Sequence, residues 1–265
     1  MTITHETIST DVTAIRNTSP LVHNITNFVV MNNTANALLA LGASPVMAHA
    51  ENEVADMCAI AGALVINIGT LSDPWIAAMI KAAQAAENKG IPMVLDPVGA
   101  GATAYRTDTA RELIHRFRPA IIRGNGSEIL ALGDPGAVTK GVDSASKADQ
   151  ALDTARALHR EHGSTVCISG ETDFIVHSDA VIRIENGHAM MPRVTGLGCT
   201  ASALCGAFAA VNPNPVQAAA HAMAVMGIAG EMAGETAQGP GSFQVRFLDA
   251  LYRISGPDIQ QRFNA

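Results

Sequence analysis

The stretch Ala63-Leu64-Val65-Ile66-Asn67-Ile68 decides the fold: a β-type apolar run with almost no polar alternation that stops at Gly69. A run of this kind reads as a strand covered on both faces, which is the habit of parallel sheets. Its surroundings repeat the theme. A helix is expected over Pro74 to Ala86, closed by Lys89-Gly90. A second buried strand follows at Ile91 to Leu95, ending on Asp96-Pro97.

Outward from there the alternation continues. Leu21 to Ile25 reads as a strand, and Asn33 to Leu41 as a helix ended by Gly42. Then come a helix at Thr109 to Phe117, a strand at Ala120 to Ile122, a helix at Ala145 to Glu161 and a strand at Thr165 to Ile168. Phe174 to Ile184 alternates more and reads as an antiparallel hairpin or edge addition. From Cys199 onward nearly all is helix. Strands alternating with helices predict a three-layer α/β/α fold with a mostly parallel central sheet. No low-complexity linker, repeat or charge block divides residues 1–265, so one domain is expected.

Bulk composition narrows the functional classes. Of 265 residues, 48% are hydrophobic and 15% charged, enough for a sizeable core. The modest charge makes the Ala-, Met- and Val-rich helical faces candidates for burial against sister subunits. Seventeen Lys and Arg against 24 acids leave a net charge of −7. An acidic chain with no basic run argues against nucleic acid or an anionic membrane as partner. The N-terminal Met1 to Glu6 lacks a secretion pattern, and no apolar stretch approaches the roughly 20 residues that span a bilayer. Four cysteines without a C-x-x-C pair form neither a disulfide scaffold nor a structural zinc motif. A reduced, cytoplasmic protein is the expectation.

In sheets of this type ligands gather beyond the carboxyl ends of the strands. The residues at those ends are polar or glycine: His23 to Asn27, Asn67 to Thr70, Asp96 to Gly99, Arg123 to Glu128 and Ser169 to Asp173. Five such loops on one rim point to a site. Beside them stands Thr195-Gly196-Leu197-Gly198-Cys199-Thr200, which joins an extended segment to a helix expected from Thr200 to Ala210. Two glycines unshield backbone N–H groups, and the helix start adds partial positive charge, so the turn suits a phosphate.

The same turn matches the dinucleotide fingerprint as Gly196-x-Gly198-x-x-Ala201. That motif requires a βαβ unit and an acid roughly 20 residues on. No acid lies between Cys199 and Gly230, and no strand follows, so the dinucleotide reading fails. Cys199 sits where a helix start lowers a thiol's pKa, whereas Cys167 and Cys205 read as small buried hydrophobes. Asn125-x-x-Glu128 and Asp96 are open to two readings: acids holding Mg²⁺ at the rim of a phosphate pocket, or a helix cap. Arg123 is either a phosphate clamp or a surface ion pair. Gln238 to Phe243 reads only as a turn between two helices.

Taken together these residues resemble the ribokinase-like kinases. Gly196-Leu197-Gly198-Cys199 is similar to their G-x-G-D anion-hole motif with cysteine in the aspartate position, and Asn125-Gly126-Ser127-Glu128 to their N-x-x-E magnesium motif. Cysteine in that position resembles the hydroxyethylthiazole kinase branch. So do Ser19 to Asn27, Leu38 to Met47, Leu95 to Val98, Arg123 to Asn125 and Gly239 to Phe243. The resemblance implies Mg²⁺- and ATP-dependent phosphorylation of 4-methyl-5-(2-hydroxyethyl)thiazole, by a homotrimer with active sites between subunits. It implies that Met47 and Gly196 touch the thiazole, with Asn24 and Gly69 lining the same pocket. Arg123, Ser169 and Gly198 would hold ATP, Asp96 and Glu128 would serve Mg²⁺, and Cys199 would lie beside the attacking hydroxyl. The family often has Thr in place of Ser169 and of Leu197. Two rival readings stay open: a kinase of another alcohol, such as hydroxymethylpyrimidine or a sugar, and a non-catalytic thiazole or nucleotide sensor.

Overall fold

A computed structural model describes residues 2–133 and 147–264. Along the chain run α1 (His5–Thr18), β1 (Leu21–Ile25), α2 (Met31–Leu41), β2 (Ser44–Val46), α3 (Val54–Ile60), β3 (Ala63–Asn67), α4 (Asp73–Lys89) and β4 (Met93–Asp96). They are followed by α5 (Ala104–Phe117), β5 (Ile121–Asn125), α6 (Gly126–Leu132), α7 (Lys147–His162), β6 (Thr165–Ser169), β7 (Asp173–His177) and β8 (Ala180–Ile184). Four helices close the chain: α8 (Leu197–Val211), α9 (Pro215–Gly234), α10 (Pro240–Arg253) and α11 (Gly256–Arg262).

The strands form one eight-stranded sheet in the order β2-β1-β3-β4-β5-β6-β7-β8. Pairing is parallel from β2 to β6; β7 and β8 add antiparallel, as the alternation of Phe174 to Ile184 predicts. The continuous apolar runs follow from cover on both faces. On β3, Val65 belongs to the core layer shared with α1, α2 and α8 to α11, while Leu64 and Ile66 belong to the layer shared with α3 to α7. The α/β/α sandwich expected from the sequence is therefore the fold observed.

The Ala- and Met-rich stretches of α8 and α9 are buried within the chain itself rather than left for a sister subunit. A polar tie crosses this layer. His221 of α9 is fully buried, with Nδ1 2.6 Å from Asp11 Oδ2 and Nε2 3.1 Å from Thr7 Oγ1, both on α1. Asn212 Nδ2 donates to the same Asp11 oxygen at 2.7 Å. The buried imidazole of His221 thus has a partner at each ring nitrogen.

Three local expectations are revised. Gln238 to Phe243 is not only a turn, because Pro240 opens α10 and Ser242 Oγ accepts the Gly239 amide at 3.2 Å, a position that suits proline. The helix after the glycine turn starts at Leu197, three residues earlier than expected. The helix expected from Ala145 begins at Lys147 among the described residues; Ala145 lies outside them. No helix among the described residues is long and apolar enough to cross a membrane.

Candidate active site

Parallel pairing brings the ends of β3, β4, β5 and β6 to one rim, and Asp96 lies at its centre. Asp96 Oδ2 accepts from Asn67 Nδ2 at 2.8 Å and from Ser202 Oγ at 2.7 Å. The Arg123 Nη1 atom lies 3.9 Å away. Asp96 Oδ1 is buried without a hydrogen-bond partner. Burial drives the Asp96 carboxyl up to about 6, against the opposing pull of the Arg123 charge and the two hydrogen bonds.

Arg123 is itself buried, and its Nη2 donates to Ser169 Oγ at 2.5 Å. The surface ion pair weighed from sequence is thus excluded. The guanidinium lies under the start of α8, where a Cβ on Gly198 would stand 3.0 Å from Nη1. Gly196, the residue capping α8, has φ of 84°, the left-handed region that glycine enters at no steric cost. The N–H groups of Leu197, Gly198 and Cys199 occupy the first turn, where no helical carbonyl is available to them. Arg123, Asn125, Ser169, Gly196 and Gly198 share the wall of a cavity of about 830 Å³, whose apolar side includes Met226. Asp173 lines it too. Its Oδ1 accepts the Gly170 amide at 3.0 Å, and burial raises its carboxyl to about 6.

A second group lies next to this cavity but not in its wall. Cys199, in the first turn of α8, has its Sγ 3.4 Å from Asn27 Nδ2, and that same amide donates to Asn67 Oδ1 at 2.9 Å. The helix start was expected to lower the Cys199 thiol. Burial instead raises it, helped by the nearby Asp96 charge, and outweighs the hydrogen bonds and the Arg123 charge that act the other way. Gly69 adjoins the same cluster. Its N–H donates to Asn67 Oδ1 at 2.9 Å, and a Cβ there would fall 2.5 Å from Asn27 Nδ2, so only glycine fits. Arg106 fastens this corner by donating to the carbonyls of Ile68, Gly69 and Val98.

The remaining predicted residues, Asn24, Met47 and Glu128, do not line the cavity. Asn24, buried on β1, donates to the Val22 carbonyl at 2.9 Å and leaves its Oδ1 without a partner. Met47 follows β2, half-buried, its carbonyl accepting from His49 Nδ1 at 3.2 Å. Glu128 realises the cap reading: Oε2 accepts the Asn125 amide at 2.8 Å, while Asn125 Oδ1 accepts the Glu128 amide at 2.9 Å. Its Oε1 reaches across to the Gly99 amide at 2.9 Å, so the residue also holds the loop after β4.

Sequence reasoning did not single out Asn27, Asn67, Ser202, Arg106 or Asp173. The first two and Asp173 stand in strand-end segments and carried that much signal. Ser202 carried none, being one small residue in an apolar helix.

Comparison with known proteins bears on this arrangement. Residues 12–256 match the family described as "Hydroxyethylthiazole kinase family". A hydroxyethylthiazole kinase of Syntrophus aciditrophicus is 62% identical over 263 residues, 99% of this chain and 97% of that one. The solved hydroxyethylthiazole kinase of Pyrococcus horikoshii superposes with a TM-score of 0.90 at 45% identity, covering 98% of each chain. A ribokinase-like superfamily protein of Enterococcus faecalis, 13% identical, shares the fold with a TM-score of 0.64 over 96% of each chain. Likeness this close, sustained over almost every residue from α1 to α11, means that the chain belongs to the hydroxyethylthiazole kinase family.

Proposed function

We propose that the chain, acting as one kinase domain over residues 1–265, transfers the terminal phosphoryl group of ATP to the hydroxyl of 4-methyl-5-(2-hydroxyethyl)thiazole in thiamine salvage. One observation carries the reading: the helix-start amides, the buried Arg123 and Ser169 converge on a single cavity that adjoins the Cys199 cluster. Phosphoryl transfer passes through a loose transition state, so positioning and charge neutralisation do most of the work. The amides of Gly198 and its neighbours and the Arg123 fork bind phosphate oxygens, while Ser169 orients that fork. The apolar side of the cavity accepts the nucleobase.

The thiazole alcohol lies between Met47, Asn24, Gly69 and Gly196, with its hydroxyl next to Cys199. A thiol kept protonated by burial is a poor base, so Cys199 acts chiefly by shaping and orienting the acceptor. The residues present suit Mg²⁺: a buried carboxylate oxygen on Asp96 has no other partner, and Glu128 adds a second carboxylate. The ion supplies neutralisation of phosphate charge. A cytoplasmic homotrimer with sites between subunits completes the proposal. Phe28 and Val29, 64% and 66% exposed beside Asn27, support subunit contact there.

The test is ATP consumption with and without the thiazole alcohol. ADP should form only when it is present, and far more slowly with hydroxymethylpyrimidine or a sugar. Equal turnover with those acceptors would favour the broader kinase, whereas binding without turnover would favour a sensor.

A further inference from the structure

We propose a second cation site, for a transition-metal ion of the Zn²⁺ class, formed by His115, Glu161 and His162 where α5 and α7 end. One ligand atom from each of the three side chains lies within 4.8 Å of the other two. His162 Nε2 is 3.5 Å from Glu161 Oε1, and the His115 and His162 rings stand perpendicular with centroids 6.3 Å apart. Small rotamer changes bring such a trio to metal-binding distances.

Three further features favour an ion here. The His162 side chain is only 9% exposed, so one ligand is held in place while His115 and Glu161 keep the site open to solvent. The only polar side chain close to a His162 ring nitrogen among the described residues is Glu161, itself one of the trio. His115 and His162 both lie in last helical turns, where the helix dipole is negative and draws a cation. The nearby Arg118 charge opposes a cation, and the Glu161 carboxylate offsets it.

Two nitrogens and one oxygen select Zn²⁺, Ni²⁺, Co²⁺ or Cu²⁺ over Mg²⁺, which takes oxygen ligands. The place in the fold defines the role. Helices α5 and α7 lead into β5 and β6, so their ends lie at the amino edge of the sheet, opposite the rim that carries Asp96 and Arg123. Helix α6 packs between these two neighbours, and an ion would clip α5 to α7 directly. The site is thus a structural clamp, independent of phosphoryl transfer.

The experiment is titration of the metal-free full chain with Zn²⁺ against a chelating dye, with Co²⁺ absorption as a spectroscopic check and melting temperature as a second readout. One ion per chain should bind and raise the melting temperature. His115→Ala and Glu161→Gln should each weaken binding by roughly tenfold or more and abolish the shift, with turnover in Mg²⁺ unchanged. Both residues are exposed, so these variants should fold. His159 and His177, whose tilted rings lie 4.1 Å apart and which are already hydrogen-bonded to Ser164, Ser178 and Thr165, serve as controls; alanine at either should leave binding intact. Zn²⁺ affinity unchanged in His115→Ala, or lost in His159→Ala, would overturn the proposal.

Discussion

The side-chain amide of Asn27 joins Cys199 to Asn67, standing 3.4 Å from the thiol sulfur and 2.9 Å from the Asn67 carbonyl oxygen. Through Asn67 the link continues to Asp96. Asn27→Ala cuts that path and opens space under Gly69. We expect kcat to fall by about 10- to 100-fold, the order of loss that small misplacements bring, with the melting temperature little changed. Steady-state kinetics on the folded variant are the check, and an unaltered kcat would show that the link is idle.

Cys199→Asp replaces a protonated thiol with a carboxylate that is ionised at neutral pH, the residue that the resemblance to ribokinase-like kinases places here. The phosphorylation rate should be kept or raised. The neighbouring charge of Asp96 opposes a second carboxylate, which favours retention over a large gain. Abolished turnover in a variant that still folds and binds both substrates would count against any base role at this position. The wild-type thiol should also react with iodoacetamide along a pH curve displaced upward from that of a free cysteine, because burial disfavours the thiolate.

Glu128→Ala has two separable effects. Loss of the cap across Asn125 and of the tether to Gly99 should cost about 1–2 kcal/mol of stability, the range for lost helix caps. The same variant should need more Mg²⁺ for half-maximal activity. Denaturant unfolding measures the first and a Mg²⁺ titration of initial rate the second. An unchanged Mg²⁺ requirement would remove Glu128 from the metal role and leave it only the cap.

Asp173 lends stability a pH dependence of known sign. Its carboxyl is raised from 3.8 to about 6 in the fold, so the folded chain holds that proton more tightly than the unfolded one. Its favourable contribution is complete below about pH 4 and lost as pH rises through about 6. Asp173→Asn has nothing to ionise and keeps an oxygen for the Gly170 amide. Unfolding free energies of the two proteins should diverge in the variant's favour between those pH values and run parallel above them. A constant difference would refute the assignment.

The layered sheet was legible because burial on both faces writes itself as unbroken apolar runs, as at Ala63 to Asn67. Asn125 to Glu128 was legible as a motif, since a capping box repeats locally wherever it occurs. Ser44 to Val46 was not read as a strand: three residues around a proline at a sheet edge hold too little pattern. Helices α1 and α3 also escaped notice, the first being polar along much of its length and the second only seven residues. The direction of the Cys199 shift was misread because a local rule about helix starts lost to burial, which depends on distant segments. Ser202 shows the same limit, for nothing near it in the chain reveals that its hydroxyl meets Asp96.

A hypothetical methyl group on Gly196 would come within 2.7 Å of Val30 Cγ1. The glycine turn that opens α8 and the loop bearing Asn27 are therefore not two parts that meet but one mechanical piece, built from segments far apart in the chain. Retuning this enzyme toward a bulkier acceptor by enlarging either part alone would displace the other, so altered selectivity has to come through paired changes on both sides of that seam.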